Sequence, residues 1–130
     1  MNTNNLENKE PTLIYLGDLV HNYIGKGPFM FPINIGYLVT FTKAHIHKDK
    51  KIIFKLFKYP DKLLDEIEKK PPTFLGLSNY AWNADLNEKI LKFTKSKSKY
   101  FITVMGGPNI HYHQGALDEF FEKRKDFLDF

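Results

Sequence analysis

Two adjacent glycines, Gly106 and Gly107, close the apolar run in "KYFITVMGGPN" (99–109), and a serine, Ser78, closes another in "PTFLGLSNYAWN" (72–83). A diglycine at the end of a strand removes two side chains, so a ligand or a neighbouring backbone can approach the main chain closely. The same pair can also serve only as a tight turn before Pro108. Ser78 offers a hydroxyl that donates or accepts, and Asn79 and Asn83 add amides. Ser78 can instead cap its own turn, and Asn83 is placed as a helix N-cap. Trp82, the single tryptophan, can cover a flat apolar ligand from a loop tip or pack between helix and sheet.

Other chemistry-bearing residues form less complete sets. His111 and His113 are spaced i and i+2 as metal ligands in an extended loop can be, yet no carboxylate or cysteine beside them completes a site. Asp18 and His21 have no nucleophile at triad spacing, and no GxxxxGK[ST] or GxGxxG phosphate loop is present. The chain has no cysteine, which excludes disulfides, cysteine nucleophiles and cysteine-held clusters within it. The stretch "FMFPINIG" (29–36) contains no acid, base or metal ligand, although it lies where an open α/β fold places its first functional loop.

These residues need elements to position them. The 130 residues suit one domain, and 42% hydrophobic with 26% charged residues is the balance of a globular protein. Residues 1–10 carry no period and are expected to be a mobile lead-in, and residues 11–130 the domain. Strands are predicted at 11–20, 51–59, 72–80 and 99–107, helices at 33–46, 60–70, 83–97 and 115–125, and the opening of a fifth strand at 127–130. The alternation means right-handed βαβ units and a parallel sheet. The expected architecture is flavodoxin-like (Rossmann-like), an open parallel five-stranded sheet in the order 2-1-3-4-5 with helices on both faces. Ligands in such sheets bind beyond the carboxyl ends of the strands, at residues 17–34, 78–83 and 106–115. The pattern leaves a further helix to come, so the chain is expected to be the front of a longer protein. The net charge of +4 comes from lysine clusters at a turn and at a helix end, where solvated cations are ordinary. No nucleic-acid partner is therefore expected. No apolar run has the roughly 20 residues that a membrane helix needs, and the polar start lacks a secretory signal; a cytoplasmic protein without a membrane partner is expected.

Gly36, then "SNY" at 78–80, then "GG" at 106–107 resemble the spaced pattern of cobalamin-binding domains, DxHxxG, SxL or SxT, and GG. Forty-one residues separate Gly36 from Ser78, and 25 separate Tyr80 from Gly106, close to that family's intervals. The strings "FPINIGYLVTF", "FKYPDKLLDEI", "GLSNYAWN" and "VMGGPN" look more specifically like the N-terminal cobalamin-binding domain of cobalamin-dependent radical SAM enzymes, over about Pro11 to Phe130. Against the DxHxxG pattern, Phe31 stands at the aspartate position and Ile33 at the histidine position.

The resemblance implies cobalamin bound with its own base detached and no protein histidine on cobalt. An apolar residue such as Ile33 beneath the corrin would favour a four-coordinate Co(I) nucleophile able to take a methyl group from S-adenosylmethionine. By position, Ser78 would hydrogen-bond near the tail base, and Gly106 and Gly107 would let the tail pass the fourth strand. Asn79, Tyr80, Trp82 and Asn83 would lie near the cofactor, with Asn109 a partner for the corrin amides; Tyr80 departs from the usual Leu or Thr. The implied cofactor of this chain is cobalamin. A [4Fe–4S] cluster and S-adenosylmethionine would belong to a radical SAM catalytic domain expected C-terminal to it, because the CxxxCxxC motif that holds the cluster is not in this chain. The rival reading is a degenerate domain that keeps the fold, has lost the cofactor and serves as a scaffold or interaction module.

Overall fold

In three of the four strands alternate residues are buried and most of the intervening ones are only half covered, so the two faces of the sheet have different coverings. The computed structural model describes residues 10–21, 31–47 and 50–130. The expected mobile lead-in falls, apart from Glu10, outside the described residues, as do Pro28, Phe29 and Met30 of the first loop. The strands are β1 (Thr12–Gly17), β2 (Ile52–Phe57), β3 (Phe74–Ser78) and β4 (Ile102–Gly106), and the helices are α1 (Ile33–His45), α2 (Pro60–Lys69), α3 (Ala84–Lys97) and α4 (Gln114–Glu122). All strand pairs are parallel and the order is β2-β1-β3-β4. The chain is therefore α/β with a reversal of strand order between β1 and β3, where a crevice opens at the carboxyl edge.

One face carries the main core. Leu13 and Tyr15 of β1, Leu75 and Leu77 of β3 and Met105 of β4 pack with Leu63 and Ile67 of α2, Ile90 and Leu91 of α3 and Phe120 of α4. Pro60 opens α2 at the first helical position, where its missing N–H costs nothing. Tyr15 is wholly buried, and its hydroxyl donates to the Lys70 carbonyl at 2.6 Å and to Glu66 Oε1 at 3.4 Å. Burial, then the Glu66 charge, pushes the Tyr15 phenol up to about 12. The opposite face holds Ile14 and Leu16 of β1, Phe74 and Gly76 of β3 and Val104 of β4. Helix α1 lies beside these residues with Ile35 and Leu38, leaving an apolar groove along it.

The fifth strand expected at 127–130 is not formed; among the described residues the sheet has four strands. After α4 the chain turns through 123–127 and sends both Phe127 and Leu128 into the core, which breaks the period-2 alternation a strand requires. Phe130 meets β4 in ladder fashion, its N–H donating to the Thr103 carbonyl at 3.1 Å and its carbonyl accepting from Met105 N–H at 2.8 Å, and the Asp129 N–H donates to the same Thr103 carbonyl at 3.1 Å. Between them, Asp129 Oδ2 binds Lys95 Nζ at 2.6 Å and the Thr103 N–H at 2.8 Å. Burial raises the Asp129 pKa, but Lys95 and the Thr103 bonds outweigh it and hold the carboxyl below its usual value. No described helix is long and apolar enough to cross a membrane.

Candidate functional site

Ser78 and Gly106 end β3 and β4 as register partners, so two of the singled-out sequence elements stand side by side at the carboxyl edge. Just past them the Asn79 N–H donates to the Gly106 carbonyl at 2.6 Å. Gly107 has φ +139°, and a Cβ there would meet the Asn79 carbonyl oxygen at 2.5 Å; its lack of a side chain is thus required by this backbone contact. Gly106 differs. Nothing lies within 4 Å of where its Cβ would be, and it borders the groove. Pro108 follows, and the Asn109 N–H returns to the Asn79 carbonyl at 3.2 Å, closing the loop.

Two cavities meet at this edge. The groove, about 500 Å³, has an apolar floor and wall, with Ser78, Gly106 and Gly107 at its border. A second cavity of about 530 Å³ lies at the tips of β1 and β3, between Phe31, Ile33 and Tyr37 on one side and Tyr80 and Trp82 on the other. Ile33 and Phe31 are strongly exposed there. Trp82 does not pack between helix and sheet; it is 58% exposed and stacks on Tyr80 with ring centroids 4.3 Å apart and planes 9° apart. Its carbonyl is held by His21 Nε2 at 2.9 Å. The pair presents a flat aromatic surface to the cavity. Among the described residues lining this cavity, Asp18 is the only carboxylate and none is a histidine. Burial raises the Asp18 pKa, and a hydrogen bond from Asn34 opposes that rise.

Asn34 joins the two spaces and borders both. Its Nδ2 donates to Ser78 Oγ at 2.9 Å and to Tyr80 Oη at 2.9 Å, while its Oδ1 accepts the Ile35 N–H at 2.8 Å. No motif of the sequence points to this residue. The available signal was that Asn34 is the only polar side chain in "FPINIG", and a lone amide in an apolar loop next to a helix start needs a partner.

The remaining asparagines hold the frame. Asn83 is fully buried; it sits at the N-cap position of α3 without a side-chain cap bond. Its Oδ1 accepts the Tyr80 N–H at 2.9 Å, and its Nδ2 donates to the Leu19 and Ser78 carbonyls at 3.1 Å each. Asn87 Nδ2 adds a bond to the Ser78 carbonyl at 2.9 Å. Asn79 is buried as well, and its Oδ1 has no partner among the described residues. The structure therefore gathers Ile33, Ser78, Tyr80, Trp82, Gly106 and Gly107 around the cavities and turns Asn79 and Asn83 inward. Gly36 lies on α1 with open space where a Cβ would be. His111 and His113 are exposed, and no group of three or more metal-ligating side chains occurs among the described residues.

Comparison with known proteins leaves the site to be read from its own geometry: no protein-family model matches the sequence, and no curated protein matches it.

Proposed function

We propose that this chain binds cobalamin with the nucleotide base detached and without a protein histidine on the metal. On this reading it is the cofactor-carrying domain of a larger cytoplasmic radical SAM enzyme, with a flavodoxin-like sheet completed by a fifth strand beside β4. The carrying observation is that two mainly apolar cavities adjoin at the carboxyl edge and share Asn34. A groove bordered by Ser78 and Gly106 adjoins a cavity faced by Ile33 and the Tyr80–Trp82 stack. A corrin and its detached tail each need a mostly apolar seat, and the residues suit that division. Open space at the Gly106 Cβ position leaves the groove border free for a tail. When bound, the cofactor would supply methyl transfer or related radical chemistry together with a catalytic domain bearing the [4Fe–4S] cluster and S-adenosylmethionine.

The chain's own residues would bind and orient. Ser78 would hydrogen-bond the tail base, Tyr80 and Trp82 would cover the corrin rim, and Ile33 would exclude water from below the metal. Asn79, Asn83 and Asn109 would set the loops that carry these contacts. The test is to mix the purified chain with hydroxocobalamin, remove free ligand and record the visible spectrum. Retained cobalamin lacking nitrogen ligation from below is expected. A folded chain that retains none overturns the reading.

One observation favours the scaffold alternative. Ile33, Tyr37 and Phe41 are exposed at successive i+4 positions of α1, so the helix is apolar on its outer side as well as its inner one, a pattern suited to contact with another protein surface.

A further inference from the structure

The junction between the two cavities presents hydroxyl and amide donors beside one carboxyl group, that of Asp18. The two hydrogens of Asn34 Nδ2 face three oxygens: Ser78 Oγ and Tyr80 Oη, each at 2.9 Å, and the Asp18 carboxyl. Ser78 and Tyr80 accept from Asn34, which leaves their own hydroxyl hydrogens available to donate. The Asn34 carbonyl oxygen is already committed to the Ile35 N–H at 2.8 Å. A segment passing from the cavity at the strand tips to the groove would meet the two hydroxyl hydrogens, and the Asn34 amide once it turns from its present partners. A connector carrying acceptor oxygens complements these donors; an apolar connector would leave them unpaired, at a cost in affinity. Asp18 stands on the strand-tip side of the same amide, so an anionic oxygen there would face a carboxyl group, and a neutral acceptor fits better.

We propose that Asn34 is the specificity-determining residue at this junction, donating an N–H to a neutral acceptor oxygen in the segment that links a flat head over the strand-tip cavity to a flat tail in the groove. As Asn34 turns to the ligand, Ser78 Oγ loses its present partner and becomes free for the tail. The inference rests on the cobalamin reading, in which ribose and amide oxygens of the tail are such acceptors.

The test compares hydroxocobalamin with cobinamide, which lacks the nucleotide tail, on the full chain and on Asn34→Asp and Asn34→Ala. Asn34→Asp keeps the shape and removes the donors; Asn34→Ala supplies a second variant should the first not fold. Expected are a preference of the wild type for cobalamin, a loss of about 10-fold in cobalamin affinity on substitution, and unchanged cobinamide affinity. A wild type that prefers cobalamin with variants that keep the full preference overturns the role of Asn34 and leaves the cobalamin reading standing. Equal loss for both ligands also overturns it, since the amide would then act on the whole site. A folded wild type that binds neither ligand removes the cobalamin reading, and this inference with it.

Discussion

Asn34 Nδ2 lies 2.9 Å from Ser78 Oγ across 44 positions of sequence, tying the start of α1 to the end of β3. The bond spans the point where strand order reverses, so it fixes the mouth of the crevice rather than the core. A double-mutant cycle with Asn34→Ala and Ser78→Ala, read by denaturant unfolding, is expected to show a coupling of about 1 kcal/mol. Strict additivity of the two substitutions would mean that the bond contributes nothing to the ligand-free protein.

Gly106 and Gly107 should part company on substitution. Gly107→Ala places a Cβ 2.5 Å from the Asn79 carbonyl oxygen at φ +139°, and is expected to destabilise the fold by about 2 kcal/mol or more. Gly106→Leu enters open space at the groove border, so its thermal midpoint should stay within a few degrees of wild type while cobalamin retention falls. Equal destabilisation by the two would contradict the separation drawn between a backbone requirement and a ligand passage.

Asn83 holds three chain segments at once, with bonds to the Leu19 and Ser78 carbonyls and the Tyr80 N–H. Asn83→Ala takes a donor from the Leu19 carbonyl and an acceptor from the Tyr80 N–H, leaves the Ser78 carbonyl with Asn87 alone, and opens a cavity. A loss of about 2–4 kcal/mol is expected in denaturant unfolding. Asn83→Asp should be nearly as damaging, because a carboxylate restores the acceptor but neither donor. Retention of wild-type stability by Asn83→Asp would show that the Leu19 and Ser78 bonds contribute little.

The sheet was legible because each of its four strands is a short apolar run set between helical patterns, and the βαβ rule then fixed the order of the strands observed. Of the expected opening of a fifth strand, the structure shows only the backbone bonds of 129–130 to β4; Phe127 and Leu128 are both buried and Asp129 is committed to Lys95 and Thr103. Those are tertiary choices that a four-residue window does not contain. Within the site, the register pairing of Ser78 with Gly106 follows from the parallel topology. The two glycines looked equivalent in sequence, since only the through-space position of Asn79 separates them. Asn34 was missed for the same reason: its partners lie 44 and 46 residues away.

Tyr15 predicts an alkaline limit to stability. Its folded-state pKa is raised from 10.0 to about 12, so the folded chain keeps a proton that the unfolded chain releases. The stabilisation is fully present below about pH 10 and is lost as pH rises through the folded value. Tyr15→Phe removes the bond to the Lys70 carbonyl and should cost about 1–2 kcal/mol at neutral pH. It should also flatten the fall in stability between pH 10 and 12, as followed by urea midpoints across that range. A variant as steep as wild type there would place the alkaline transition on other groups.

Asp18 carries the opposite kind of group into the same linkage. Burial raises its pKa despite the Asn34 bond, so the folded chain holds the carboxyl proton more tightly than the unfolded chain does. A raised folded value means that the favourable contribution is complete below the ordinary aspartate pKa, about 3.9, and is lost as pH rises through the folded value. Near pH 7 the ionised carboxylate is therefore a burden on the fold. Asp18→Asn removes the charge and keeps an amide oxygen for Asn34, so its thermal midpoint should exceed that of wild type at pH 7. The difference should shrink towards zero at pH 3, where both side chains are neutral. An advantage of equal size at both pH values would trace to packing and not to the buried charge. An Asp18→Asn midpoint below wild type at pH 7 would mean that the carboxylate bond to Asn34 outweighs the cost of burying it.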